Sequence, residues 1–328
     1  MSVVPYKIGF LGSDEIAIPF LSKLIEESDR FQLVGVLTQP DRPAGRGRKL
    51  RPNPIKEWTM QHGFPYRDPR KPSSDEVDWF KDQGVDLLLV MAYGHILKND
   101  MLTVASAGCF NLHASILPAY RGASPVETAL ACGNDETGVT LMRVVPKMDA
   151  GPVIDVEKVK IDDSTTGSSL RTSLAKCCTH LVQRNLEALC VGEYEEVEQD
   201  ESLVSYCRKL KKVDGFLDFS QPASLLASRI RAFQAWPGSF FEHRGNRIKI
   251  GLAQASSESD LRPGEIKKTT EGGLLIGTET VALQINNLQK PGGKMISSSD
   301  FLRGYTFDDG EILDFPSSKP LLVQKRIL

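Results

Sequence analysis

Asn111 and His113 stand two residues apart at the end of an apolar run, Cys109-Phe110-Asn111-Leu112-His113, and a carboxylate follows in Asp149-Ala150-Gly151. An amide, an imidazole and a carboxylate are the groups needed to move an acyl unit onto an amine. Such a transfer passes through a tetrahedral oxyanion, which fixed donors stabilise where its charge develops. Residues i and i+2 of an extended strand share a face, so Asn111 and His113 can converge on one carbonyl oxygen. His113 can donate and also titrate near working pH, while Asp149 can orient the imidazole and help remove the proton released by the attacking amine. Taken singly the signals are weak: a strand-end Asn or Asp commonly caps a turn, and a lone His is more often structural. Cys109 has the same parity, which raises a thiolate nucleophile as an alternative; its place inside an apolar strand argues instead for an inert thiol.

Positioning these groups requires a scaffold, and the first half of the chain supplies one by alternating apolar runs with amphipathic stretches. Strands are expected at Lys7 to Leu11, Phe31 to Leu37, Val85 to Met91, Cys109 to Leu112 and Thr140 to Val145. Helices are expected near Glu15 to Glu27, Pro54 to His62, Ser73 to Gln83 and Thr166 to Leu189. That order reads as an α/β, Rossmann-like, mostly parallel sheet, in which ligands bind beyond the carboxyl ends of the strands. Asn111 and His113 fall at such an end. Gly9-Phe10-Leu11-Gly12-Ser13-Asp14 resembles a dinucleotide-binding turn but lacks the third glycine, so its glycines are expected to serve a tight turn.

At 328 residues the chain exceeds what one hydrophobic core usually serves. The division expected is a first domain over 1–198, a linker over 199–213 that includes the basic Arg208-Lys209-Leu210-Lys211-Lys212, and a second domain over 214–328. In the last region one helix, Ala223 to Phe233, is followed by short strands punctuated by Gly245-Asn246, Pro263-Gly264, Gly272-Gly273 and Gly292-Gly293. This is the pattern of a smaller, OB-like β-barrel. With 41% hydrophobic and 25% charged residues and no run of about twenty apolar residues, the composition is that of a globular protein without a membrane span. Six cysteines without paired spacing and five scattered histidines predict reduced thiols and no metal site. Cytoplasmic location and a monomer are the simplest expectations.

Joined together, the motifs are too long to be accidental. The chain resembles the 10-formyltetrahydrofolate-dependent formyltransferases, and within that family most closely those acting on methionyl-tRNA. The resemblance is carried by Asn111-x-His113 with Ser115-Ile116-Leu117-Pro118-x-Tyr120-Arg121-Gly122, Glu136-Thr137-Gly138-Val139-Thr140, Asp149-x-Gly151 and Ala92-Tyr93-Gly94. It implies that Asn111, His113 and Asp149 form the catalytic trio. It also implies that Ser115, Ile116, Leu117 and Pro118, with Tyr93 and Gly94, line a pocket for 10-formyltetrahydrofolate, and that transfer is direct. Ile116 stands where the family commonly has Leu, a swap that packing tolerates.

The trio alone does not name the acceptor amine. The segment from Gln39 to Pro52 places Arg42, Arg46, Arg48, Lys49 and Arg51 on a glycine- and proline-punctuated loop, where arginine can grip phosphates. A solvated basic loop is the plainer reading, but the resemblance implies that Arg42, Arg46, Arg48 and Lys49 meet initiator methionyl-tRNA, Arg46 foremost. The net charge of −2 speaks against a nucleic acid only superficially, because distribution outweighs total. Between Arg229 and Arg303 eleven Lys and Arg face seven Asp and Glu, predicting a basic face on the barrel. Phe233 and Trp236, in Arg231-Ala232-Phe233-Gln234-Ala235-Trp236-Pro237, are expected to pack a helix onto that barrel.

Overall fold

Apolar residues of successive parity along the first strand, Ile8, Phe10 and Leu11, are all fully buried, as a sheet covered on both faces requires. The computed structural model of the protein describes residues 4–44 and 47–323. Its contacts divide into two units, one within 1–122, 138–159 and 171–205, the other within 123–137, 160–170 and 206–328. The first unit is built on β1 (Tyr6–Gly12), β2 (Phe31–Leu37), β3 (Tyr66–Arg67), β4 (Leu87–Met91), β5 (Gly108–His113), β6 (Glu136–Arg143) and β7 (Val153–Lys160). They lie in the order β7-β6-β5-β4-β1-β2-β3. From β3 to β5 neighbouring strands are parallel, and β6 runs antiparallel to β5. The mostly parallel α/β sheet is therefore present.

The helices that matter below are α1 (Ile18–Glu26), α2 (Pro54–His62), α3 (Ser74–Gln83), α4 (Pro125–Ala131), α5 (Gly167–Val191) and α6 (Ala223–Ala232). Asn53 caps α2 by accepting from Lys56 N, with Pro54 at its first turn. Ser73 and Glu76 form a reciprocal capping box on α3, and Gly63 and Gly84 end α2 and α3 in the left-handed conformation. On one face of the sheet, Leu11, Leu88, Val90 and Cys109 pack with Val77 and Phe80 of α3. On the other, Phe10 meets Phe20 of α1 edge to face at 5.6 Å, and Cys178 of α5 lies with its Sγ 3.6 Å from Met91 Sδ.

Gly9 and Gly12 belong to β1 itself and serve packing, not the tight turn expected of them. A Cβ on Gly9 would stand 2.8 Å from Phe80 Cε1, and one on Gly12 would stand 2.6 Å from the Met91 carbonyl. Asp14 accepts from Ile16 N and pairs with Arg171 Nη1 at 2.9 Å. Two strands that periodicity did not reveal, β3 and β7, lie at the edges. One has two residues, and the other, Val-Ile-Asp-Val-Glu-Lys-Val-Lys, is only partly buried.

In the second unit, β8 (Ser239–His243), β9 (Asn246–Ala255), β10 (Ile266–Lys268), β11 (Leu274–Ile276), β12 (Leu283–Gln289) and β13 (Ile296–Ser297) form an antiparallel sheet. Its order is β8-β9-β12-β11-β10, with β13 on β12. Register shifts at Ile250 and Leu252 bend β9, the device by which a sheet curls toward a barrel. Arg244 and Gly245, both at positive φ, make the tight β8–β9 turn. Ile230 of α6, Phe241, Ile250, Ile285 and Phe307 share the core. Phe233 is fully buried, as expected, but Trp236 is 51% exposed, so it does not fix the helix.

Candidate active site

Strand β5 ends where its neighbours' carboxyl ends lie, and it delivers the expected pair. His113 is buried and pairs in register with Thr140 on β6; Asn111 sits opposite Met142 and is half-buried. Among the described residues the Asn111 amide makes no hydrogen bond, which leaves its donor available. The His113 ring lies between two groups: Nε2 is 2.9 Å from the Tyr120 carbonyl, and Nδ1 is 3.8 Å from Asp149 Oδ1. A carbonyl can only accept, so Nε2 carries a proton in either charge state. Nδ1 is consequently the atom that gains or loses one, and it does so beside a carboxylate. Asp149 Oδ2 in turn accepts from Gly122 N at 2.8 Å. His113 and Asp149 are brought together, and Asn111 lies two residues before His113 on the same strand.

Two left-handed turns make this possible. Tyr120 has φ 59° and Asp149 φ 51°, values that cost a side-chain-bearing residue free energy and persist only when surroundings impose them. Two residues beyond Asp149, Gly151 packs so tightly that a Cβ would stand 1.8 Å from the Arg143 carbonyl. Sequence reading gave no role to Arg121, fully buried, or to Gln199. Arg121 Nε and Nη2 donate to Gln199 Oε1 at 3.1 and 2.8 Å. Gln199 Nε2 donates to the Asp149 and Gly151 carbonyls at 2.9 and 2.7 Å. Arg121 was visible inside the motif; Gln199, fifty residues beyond Asp149 in the chain, carried no local signal.

The Ser115–Pro118 turn is built by internal bonds. Ser115 Oγ donates to Ala119 O at 2.6 Å, and Thr140 Oγ1 donates to Ser115 O at 2.7 Å while accepting from Leu117 N at 3.0 Å. Ser115 and Leu117 are buried; Ile116 and Pro118 remain half-buried. In the loop after β4, the Tyr93 ring is buried in the core with Leu37 and Leu97, and Gly94, at φ 77°, is exposed. The Tyr93 hydroxyl and His95 Nε2 are both buried without a hydrogen-bond partner. These orphaned polar atoms, with the exposed Gly94 backbone, suit a ligand such as a folate, which offers both donors and acceptors on an apolar ring. Burial, then Arg42 and Lys71, hold His95 below its ordinary range. Burial pushes the Cys109 thiol up to about 12, which leaves no thiolate near neutral pH.

The basic loop is in fact a two-stranded ribbon, Arg42–Ala44 against Lys49–Arg51. The chain's polar punctuation hid this pairing because Pro43 and the glycines resemble a structureless loop. Arg42, Arg48 and Lys49 are exposed, and Arg46 lies outside the described residues. The ribbon's base is anchored by Lys56 Nζ, 2.5 Å from Asp41 and 2.8 Å from Asp68. Arg42 Nη2 donates to Gln39 Oε1, whose amide donates to the Tyr93 carbonyl.

The expected basic face on the barrel is smaller than the charge count suggested. Arg231, Arg244, Arg247, Arg262, Lys267, Lys268 and Arg303 are all ion-paired. Among the described residues, Lys249, Lys290 and Lys294 make no such pair. Lys249 lines a groove of about 430 Å³ with Gln234, Asn287, Gln289 and Met295, and no carboxylate lines it. The described residues contain no group of three metal-ligating side chains, and no helix among them is long and apolar enough to cross a membrane.

Residues 6–185 match the family model described as formyl transferase, and residues 209–306 match its C-terminal domain. A methionyl-tRNA formyltransferase of Methylobacillus flagellatus is 39% identical over 93% of this chain and 98% of its own. One from Granulibacter bethesdensis is 38% identical over 94% and 96%. Among solved structures, an N-formyltransferase of Helicobacter canadensis, in complex with folinic acid and dTDP-3-aminofucose, aligns with a TM-score of 0.64 at 18% identity. That alignment covers 87% of this chain and 99% of the other. HypX of Aquifex aeolicus with tetrahydrofolic acid aligns at 0.61 and 17%, covering 96% and 51%. At these identities the two structures speak for the fold.

Proposed function

Because the chain belongs to the formyl transferase family, we propose that it moves the formyl group of 10-formyltetrahydrofolate to the α-amino group of methionyl-initiator tRNA. The observation that carries the chemistry is the His113 ring, fixed at Nε2 by a carbonyl and facing Asp149 through Nδ1. The amine attacks the formyl carbon as a free base while Asn111 donates to the oxyanion, and His113, its Nε2–H held by the Tyr120 carbonyl, takes the amine proton at Nδ1. Asp149 balances the imidazolium as the amine proton is taken up. Collapse breaks the bond to N10, which leaves with its electron pair and receives a proton. No covalent enzyme intermediate is needed, in keeping with the buried, protonated Cys109.

The relatives' shared name and the exposed Arg42, Arg48 and Lys49 ribbon support a tRNA acceptor. On the barrel, the carboxylate-free groove beside Lys249 and the exposed Trp236 suit an RNA backbone and an unstacked base. Phosphate contacts there position the tRNA without reading its sequence. We place the enzyme in the cytoplasm, where translation begins, acting as a monomer. The test is formyl transfer to charged initiator tRNA, run beside charged elongator tRNA and an amino sugar nucleotide. Turnover selective for the initiator is expected; turnover on the sugar alone would retain the chemistry and discard the tRNA.

A further inference from the structure

We propose that Gln199, gripped by the buried Arg121, is the positioning residue that aims Asp149 at His113; this rests on the acyl-transfer reading above. Gln199 touches no reacting atom. Its amide is locked in one orientation, because the guanidinium of Arg121 can only donate and the Asp149 and Gly151 carbonyls can only accept. One –NH₂ group thus clamps both carbonyls that bracket the turn.

The turn requires a clamp. Asp149 is held at φ 51°, a conformation that an aspartate readily leaves for the right-handed region. Rotating out of it would swing the carboxylate off both Gly122 N and the His113 ring. Arg121 is well placed to coordinate the two ends of the pair. Its chain neighbour Tyr120 supplies the carbonyl on His113 Nε2, and its other neighbour, Gly122, supplies the N–H on Asp149 Oδ2. Its side chain reaches the same aspartate a second time, through Gln199. The ring and the carboxylate are therefore referenced to one residue. A further tie runs from Arg121 Nη2 to Glu201 Oε1 at 2.9 Å, and from Glu201 Oε2 to Lys147 Nζ at 2.7 Å, two residues before Asp149.

Gln199→Leu keeps the side chain's size and removes both halves of the clamp. We expect kcat to fall by about 10- to 100-fold, the size of effect when a partner supporting a working side chain is removed. KM for tRNA and for 10-formyltetrahydrofolate should hold within about twofold of the parent, on the order of experimental scatter for untouched binding. A merely structural glutamine would lower the melting temperature without this split between kcat and KM. The decisive measurement is a double-mutant cycle with Asp149→Asn. If Gln199 acts through Asp149, Gln199→Leu should cost little further in the Asp149→Asn background. Gln199→Asn, which retains an amide on a shorter stem, provides a milder variant should the leucine fold poorly. Full additivity in the cycle, or a kcat that Gln199→Leu leaves unchanged, overturns the proposal. If Asp149→Asn alone leaves kcat unchanged, the reading of the site itself fails, an outcome separate from failure of Gln199.

Discussion

Single side chains divide here by what they can give up, and the effect of substitution should follow that division. With His113 as the proposed acceptor of the amine proton, His113→Ala should lower kcat by about 10²- to 10⁴-fold. In the proposed mechanism Asn111 only donates to a developing charge, so Asn111→Ala should cost about 10²- to 10³-fold in kcat. For both variants, tRNA binding measured by filter retention should stay near the parent value, and joint loss of binding and turnover would mark a structural role instead. Cys109 provides the opposite expectation. Burial pushes it up to about 12, so at pH 7 it is a neutral thiol in a packed core. Cys109→Ala should therefore keep kcat within roughly threefold of the parent while lowering stability by about 1 kcal/mol, the usual size of a small core truncation. A loss of turnover comparable to that of His113→Ala would revive the nucleophile. The shared strand was readable because parity is local: Cys109, Asn111 and His113 declare one face from spacing alone. Arg121 and Gln199 were not, since their importance exists only once the 149 turn is folded against residue 199.

Among elements, those with full periodic patterns were legible, and those shaped by their neighbours were not. The β2 and α2 boundaries coincide with what the apolar pattern indicates, while α1 opens with a 3₁₀ turn at Glu15–Ala17 and ends at Glu26, one residue before the expected Glu27. Strand β7 carries charges along a sheet edge, and the arginine ribbon pairs Pro43 with Leu50, so neither presents the alternation of a half-buried strand. Trp236 is exposed although a large aromatic beside a buried Phe233 has the sequence pattern of core, because it lies in the turn that follows α6. Two elements give direct tests. Thr140 on β6 latches the Ser115–Leu117 turn with two hydrogen bonds, and Thr140→Val removes both while keeping shape. Its expected effect is a KM for 10-formyltetrahydrofolate raised by about 5- to 50-fold, the equivalent of removing one to two hydrogen bonds from a buried loop, with KM for tRNA held. On the ribbon, Arg48→Ala with Lys49→Ala should weaken initiator and elongator tRNA alike and reduce the salt slope of binding by about 1 for each phosphate no longer neutralised. An unchanged salt slope would return the ribbon to being a solvated basic hairpin.

At the scale of the whole molecule, the second unit is assembled from three separate stretches of chain, and its stability should show it. Ile161 N donates to Asp135 O, Arg231 Nε donates to Thr165 O, and Gly167 lies against α6 so closely that a Cβ would stand 2.5 Å from Ala232 O. A fragment that starts at residue 206 keeps the barrel strands but lacks residues 123–137 and 160–170, and with them the covering over α6. It should therefore melt well below the corresponding transition of the full chain. The same unit contains its own acid sensor. Burial pushes Asp214 up, but hydrogen bonds from Arg208 and from Lys211 N outweigh it and hold the carboxyl below its ordinary 3.8. A carboxylate lowered on folding stabilises the native state fully above its unfolded pKa, and that contribution is lost as pH falls toward the folded value. Hydrogen exchange of the β9 amides, followed from about pH 6 downward, should show protection that holds to about pH 4 and declines below it. Asp214→Asn should be less stable at about pH 6 and should lose much of that acid dependence, since its amide has no proton to gain. If the substituted protein kept the parent's full decline, the sensitivity would belong to other carboxylates of the unit, with Asp218 and Glu311, both also held below their ordinary values, the next to replace.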